Sequence, residues 1–218
     1  LLGSGQTEYL DRLTISPELF WELSGQKGTF PRTSQPPAAS FDRLYSGLLA
    51  HYENVLSVHL ASALSGTCEA AHRSAQKIDD TKITVVDSRH LSASLGLVVY
   101  RLATAIREGM SALDAQKALL QWTQKARQFV SVTSLKYMVR GGRVSPLKGA
   151  IAKVLNLKPI VSVDENGKSI LYGKAFSEEA NFRKILAMVS DIHEKAPIII
   201  TPSDTRARHK RPSGLLNG

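Results

Sequence analysis

The stretch that decides the fold runs from Val55 to Ser88. It holds Val55-Leu56-Ser57-Val58-His59-Leu60, then Ser62-Ala63-Leu64-Ser65-Gly66-Thr67, then Lys82-Ile83-Thr84-Val85-Val86-Asp87-Ser88. The first and last runs are short and apolar, which predicts buried strands. Cys68–Ile78, between them, reads as a helix. A strand, a helix and a strand in so short a span predict parallel strands joined by a helical crossover. Ser62–Thr67 and Asp87-Ser88 then lie beyond the carboxyl ends of the strands, where open α/β sheets bind their ligands.

The same alternation extends both ways. Ser16 reads as the N-cap and Pro17 as the first residue of a short helix with Leu19, Phe20 and Leu23 on its apolar stripe. Phe30-Pro31-Arg32 leads in extended form to Thr33-Ser34-Gln35-Pro36-Pro37, and a helix Ala38–His51 follows, with Phe41, Leu44, Leu48 and Leu49 expected to face inward. On the far side come a long apolar helix Ser92–Glu108 closed by Gly109, and a helix Ala112–Arg127 after the N-cap Ser111. The pattern changes near residue 128. A strand at Phe129–Thr133 is followed by a helical turn Ser134–Arg140 and by a small helix Leu147–Leu155. Runs at Lys158–Val163 and Ser169–Lys174 flank the turn Asp164-Glu165-Asn166-Gly167 and predict a hairpin. A helix Glu178–Glu194 and a strand Ile198–Thr201 complete it. The expected class is α/β: a mostly parallel, helix-covered sheet domain over 1–127, a smaller α+β domain over 128–202, and a basic, disordered tail over 203–218.

Composition narrows the function classes. The 218 residues are 43% hydrophobic and 22% charged, values of an ordinary globular chain. The formal charge is +9, but Arg206, Arg208, Lys210 and Arg211 crowd much of the excess into the tail, and the aromatic residues show no stacking pattern beside basic ones. This argues against nucleic-acid binding as the main function. No apolar run approaches the ~18–20 residues of a membrane span. The single cysteine, Cys68, excludes an internal disulfide and fits the cytoplasm.

Two loops stand out for chemistry. Thr33-Ser34-Gln35 and Ser65-Gly66-Thr67 each place small hydroxyl residues where a loop turns into a helix. A helix start carries unpaired N–H groups and partial positive charge. If the fold brings the two starts together, they form a site for one carboxylate or phosphate. Asp87 and Ser88 at a strand end are open to a catalytic reading or to one as loop caps. Cys68 reads as a core thiol, since no histidine is spaced to activate it. His51, His59, His72, His90, His193 and His209 show no metal-ligand spacing. Gly141-Gly142-Arg143 lacks the spacing of a phosphate loop and reads as a helix end, with a glycine in the left-handed conformation.

Five motifs in order resemble the DegV family over roughly residues 7–200. They are Phe30-Pro31-Arg32-Thr33-Ser34-Gln35-Pro36, Leu64-Ser65-Gly66-Thr67, Val86-Asp87-Ser88, Tyr137-Met138-Val139-Arg140-Gly141-Gly142-Arg143-Val144 and Leu155-Asn156-Leu157-Lys158-Pro159-Ile160. These are bacterial fatty-acid-binding carrier proteins, some of which present an acyl chain to a fatty-acid kinase. The resemblance implies two domains, a bound long-chain fatty acid and no other cofactor or metal. It implies that Thr33 and Ser65 hold the carboxylate and that Arg143 lies near the head group or a partner. An acyl chain of ~16–18 carbons in an apolar tunnel would contribute on the order of 10 kcal/mol before ordering costs. Its expected linings are Ser92–Ile106 and Leu147–Leu155. The family's opening strand with an Asp-Ser pair and its closing His/Gly loop have no match here, so the chain is expected to be truncated at both ends. An enzyme acting on a small anionic substrate at the same loops, through Asp87, Ser88 and Arg143, is the alternative.

Overall fold

The computed structural model describes residues 2–4, 7–11, 13–25, 30–143 and 157–195. The predicted helix 147–155, strand 198–201 and tail 203–218 lie outside them, as do Val144, Leu155 and Asn156 of the family motifs.

The chain begins with short strands β1 (Leu2–Ser4) and β2 (Thr7–Tyr9), and β3 (Arg32–Thr33) joins them in an antiparallel sheet of order β2-β1-β3. Helix α1 (Pro17–Gly25) lies between, and the hydroxyl of Ser16 accepts from Leu19 N at 3.2 Å, as its N-cap reading predicts.

The predicted βαβ unit is present. Strands β4 (Val55–His59) and β5 (Ile83–Asp87) pair in parallel, in register from Val55 opposite Ile83 to His59 opposite Asp87. They are joined through α3 (Thr67–Ile78). Among the described residues this is the parallel pair; the two flanking sheets are antiparallel. Helices cover both faces. Alternation of side chains along each strand sends Val55 and Val85 to one face and Leu56, Val58 and Val86 to the other. On the first face Phe41 and Tyr45 of α2 (Ala38–Leu49) pack with Ala70, Ala71 and Ala75 of α3 and with Ile83. The small α3 residues let the two helices approach closely, and Tyr45 fills the space between them at 1% exposure. On the second face Val98 and Leu102 of α4 (Ser92–Arg107) interlock with Ala115 and Leu119 of α5 (Ala112–Lys125). Gly109 at φ +99 ends the α4 segment, and Ser111 caps α5 by accepting from Asp114 N.

Two expectations are corrected. Leu44 does not face inward: it is exposed, and Tyr45, one residue on, is the buried contact. The stripe of α2 follows Phe41 to Tyr45, an i to i+4 step, so Leu44 falls at the edge of the face. The two parallel strands are half-buried along most of their length rather than fully buried.

The second part is α+β. Strands β6 (Val130–Ser131), β7 (Lys158–Val163) and β8 (Ser169–Ala175) form an antiparallel sheet in that order. Between β6 and β7 lies the short helix α6 (Lys136–Arg140), and α7 (Glu178–Lys195) packs on β7 and β8. The predicted hairpin turn forms: Asp164 Oδ1 accepts from Asn166 N and Lys168 N, both at 2.9 Å, with Gly167 at φ +76. The buried Asn181 of α7 donates to Lys158 O at 2.7 Å and ties helix to strand.

Candidate functional site

The loops at the carboxyl ends of β4 and β5 carry the predicted residues. Ser65 stands just before α3, whose N-cap is Gly66, and its half-buried hydroxyl lies 2.8 Å from Thr67 Oγ1 while accepting weakly from Thr67 N at 3.3 Å. No side chain caps α3, and none caps α2, whose N-cap is Pro37. Thr33 departs from the expectation. It is an exposed residue of β3, five positions before α2, whose start at Ala38 after Pro36 and Pro37 is the predicted one. The residue of its motif that reaches the other loop is Gln35. A Cβ built on Gly66 would lie 2.0 Å from Gln35 Oε1 and 2.8 Å from its Cδ. The Gln35 amide therefore occupies the space that a side chain at 66 would need, and the Thr33–Pro37 and Leu64–Thr67 loops meet there.

Arg143 joins the same place from the second part of the chain. Its Nε donates to Leu64 O at 3.3 Å, and its Nη1 donates to Gly141 O. Gly141 caps α6, and Gly142 takes φ +77, the helix end with a left-handed glycine that the sequence predicts. The N-terminal loop is pressed against α6 by a stack: the Phe30 and Tyr137 rings lie 6.0 Å apart and nearly parallel, and the Arg140 guanidinium sits 4.8 Å from the Phe30 centroid. Gln35 and this stack were contained in the quoted motifs, but nothing in residue type or spacing says that they are the contacts. The structure thus gathers Gln35, Ser65 and Arg143 around one turn, with Thr33 two residues upstream of Gln35.

Asp87 and Ser88 are loop caps. Asp87 Oδ2 accepts from Ser62 Oγ at 2.5 Å and Ser62 N at 3.2 Å, and Oδ1 accepts from Arg89 N at 2.8 Å. Ser88 is fully buried, and its hydroxyl exchanges hydrogen bonds with the backbone of His90. Cys68 is a core thiol as expected: burial, followed by the charges of Asp87 and Glu69, pushes it up to about 11. Among the described residues there is no group of three or more side chains suited to a metal ion, and no helix long and apolar enough to cross a membrane.

Beneath the turn, Tyr45 donates to Ser57 Oγ at 2.8 Å, so the Ser57 proton is free to reach His59 Nε2, also at 2.8 Å. The lowered proton affinity of His59 favours the form in which Nε2 accepts that bond. Burial, then the nearby His72, lowers its pKa against the opposing pull of Asp87. His90 is lowered as well, by burial above all and by Arg127, although its Nε2 bonds Thr123 O at 2.9 Å. Both histidines bind protons less readily folded than at the ordinary value of 6.5. Their contribution to stability is therefore complete above that value and is lost as pH falls below it toward the folded pKa. The thermal midpoint is expected to drop between about pH 7 and about pH 5.5, with a shallower drop in His59→Gln/His90→Gln. A midpoint flat across that range would contradict the assignment.

The arrangement has counterparts. The DegV family model, whose description is that of an uncharacterised protein family, matches residues 2–212. A DegV domain-containing protein from Staphylococcus aureus is 31% identical over 164 residues, and the match spans 75% of this chain and 58% of that relative. Among solved structures, a DegV family protein from Thermus thermophilus described for its fatty acid binding shares 30% identity. It superposes with a TM-score of 0.77 over 88% of this chain and 68% of its own. DegV from Bacillus subtilis, described as a fatty acid binding protein, shares 26% identity and gives 0.79 over 89% and 69%. With the motifs in family order and nearly the whole length matched, this chain belongs to the DegV family.

Proposed function

We propose that this protein binds a long-chain fatty acid and serves as a carrier that presents it to a fatty-acid kinase in the cytoplasm. The carboxylate is held by the hydroxyls of Thr33 and Ser65 with the amides that open α3, and Arg143 stands at the head-group end. Two hydroxyls and helix-start amides bind both carboxylate oxygens without forming an ion pair with them. The acyl chain lies in an apolar tunnel, and the division into an α/β unit over 1–127 and an α+β unit over 128–202 puts the head-group turn where the two meet.

The observation that carries this reading is the seating of Gln35 on Gly66, because it joins the loop of Thr33 to the turn of Ser65. Support comes also from the Thermus thermophilus and Bacillus subtilis relatives, both described as fatty-acid binders. The inner face of α4, one expected tunnel wall, is packed against α5 through Val98 and Leu102. That leaves the wall to the other elements. An enzyme acting on a small anionic substrate has less support, since the side chains of Asp87 and Ser88 are engaged in holding loops.

Native mass spectrometry of the protein purified from a bacterial host tests the proposal. The expected spectrum carries an adduct with the mass of a long-chain fatty acid. Protein that is free of adduct and takes up no added oleic acid would overturn it.

A further inference from the structure

We propose that Asp87 is the positioning residue of the Ser65 turn and that the β7–β8 hairpin locks that turn in place through Arg89. This rests on the reading of the turn as the carboxylate site, and it assigns to Asp87 and the hairpin the task of holding it.

The connections run in sequence. Ser65 N and Leu64 N both donate to Ala61 O, at 3.3 and 3.0 Å, and Ala61 N donates to His90 O at 2.8 Å. Asp87 takes both the amide and the hydroxyl of Ser62 on one carboxylate oxygen and Arg89 N on the other. The whole turn from Ala61 to Ser65 is thus suspended from the loop Asp87–His90. That loop is itself clamped from the far side. A Cβ on Gly167 would lie 2.8 Å from Ala61 Cβ, 3.1 Å from Arg89 Cα and 3.2 Å from Arg89 O. The tip of the hairpin therefore sits directly on Ala61, the first residue of the turn, and on Arg89, which lies between the two residues, Asp87 and His90, from which the turn hangs. Arg89 Nη1 reaches back to Glu165 O at 3.1 Å.

Arg89 adopts φ +56, a left-handed conformation that costs a non-glycine residue energy and persists only where its surroundings impose it. Here the surroundings are the bond to Asp87 and the seat of Gly167. Undocking the hairpin removes the seat, lets Arg89 relax, and frees Ser62 and Ser65. Asp87 need not touch the ligand for its loss to be felt at the head group.

Hydrogen exchange of the ligand-free protein and displacement of cis-parinaric acid are measured together on wild type, Asp87→Ala, Asp87→Asn and Gly167→Asn. Asparagine is among the residues that best tolerate positive φ, so Gly167→Asn introduces the collision with the least added backbone strain. Exchange across residues 61–67 is expected to rise about tenfold in Asp87→Ala and Gly167→Asn, while residues 98–119 stay protected. Affinity for the acid is expected to fall about tenfold in Asp87→Ala and to recover in part in Asp87→Asn, which keeps one of the two acceptor oxygens. Wild-type exchange over 61–67 in Asp87→Ala would overturn the positioning role. Loosening confined to residues 164–168 in Gly167→Asn would overturn the lock. A wild type that binds no acid would sink the carboxylate reading alone, because the exchange measurement decides the coupling without ligand.

Discussion

Replacing Thr33 and Ser65 together by alanine is expected to weaken fatty-acid binding by roughly two to four orders of magnitude. Hydrogen bonds to a charged group contribute about 1.5–3 kcal/mol each, so losing two costs about 3–6 kcal/mol. The apolar contribution of the acyl chain, on the order of 10 kcal/mol before ordering costs, is untouched. The variant should therefore still take up lipid at high concentration, but without fixing its direction. Stability should change little. Thr33 is exposed, and among the described residues the Ser65 hydroxyl has its partners in Thr67, two residues away. The thermal midpoint should stay within a few degrees, since substitutions outside the core cost about 0.5 kcal/mol or less. Titration calorimetry with oleic acid beside a thermal melt separates the two effects. Wild-type affinity in the double variant would remove Thr33 and Ser65 from the site, and a large loss of midpoint would show them to be structural.

Leu119→Ala should act in the opposite way, on the fold before the ligand. Leu119 is fully buried between α4 and α5, against Val98, Leu102 and Ala115. Truncating a leucine in such a place removes its transfer energy and leaves a cavity, at a cost of about 3–5 kcal/mol. For a chain of this length each kcal/mol moves the midpoint by about 2–4 °C, so a fall of about 10 °C is expected. Leu120→Ala is the control. Leu120, the next residue on the same helix, is 55% exposed, and its loss should cost about 0.5 kcal/mol or less. Equal shifts in the two variants would mean that the α4–α5 interface does not carry the stability assigned to it.

Most elements were legible in the sequence because their signals are local. The apolar runs Val55–Leu60 and Lys82–Ser88 contain their own strand propensity, Ser16 and Ser111 their own capping oxygens, and Asp164 to Gly167 their own turn chemistry. Leu44 shows where local signals stop. Its hydrophobicity matches that of Leu48, and it is the packing of α2 on Ala70, Ala71 and Ala75 of α3 that buries Tyr45 and leaves Leu44 outside. Thr33 shows the same limit: the helix starts at Ala38 as its two preceding prolines predict, but no count of hydroxyls reveals that Gln35 rather than Thr33 reaches the neighbouring turn.

By itself the sequence determined the order of the described strands and helices from α1 onward, though not β1 and β2, together with the family resemblance and the set of motifs that would matter, since each is written in residue type and spacing. Tertiary structure decided how those motifs meet. Gln35 rests on Gly66, Arg143 reaches Leu64, and the hairpin glycine sits on Ala61 and Arg89. Each of these contacts joins residues far apart in the chain through a fit of a few ångströms. Such a fit depends on where packed helices and sheets place their loops, and the pattern of residues along a chain does not record it.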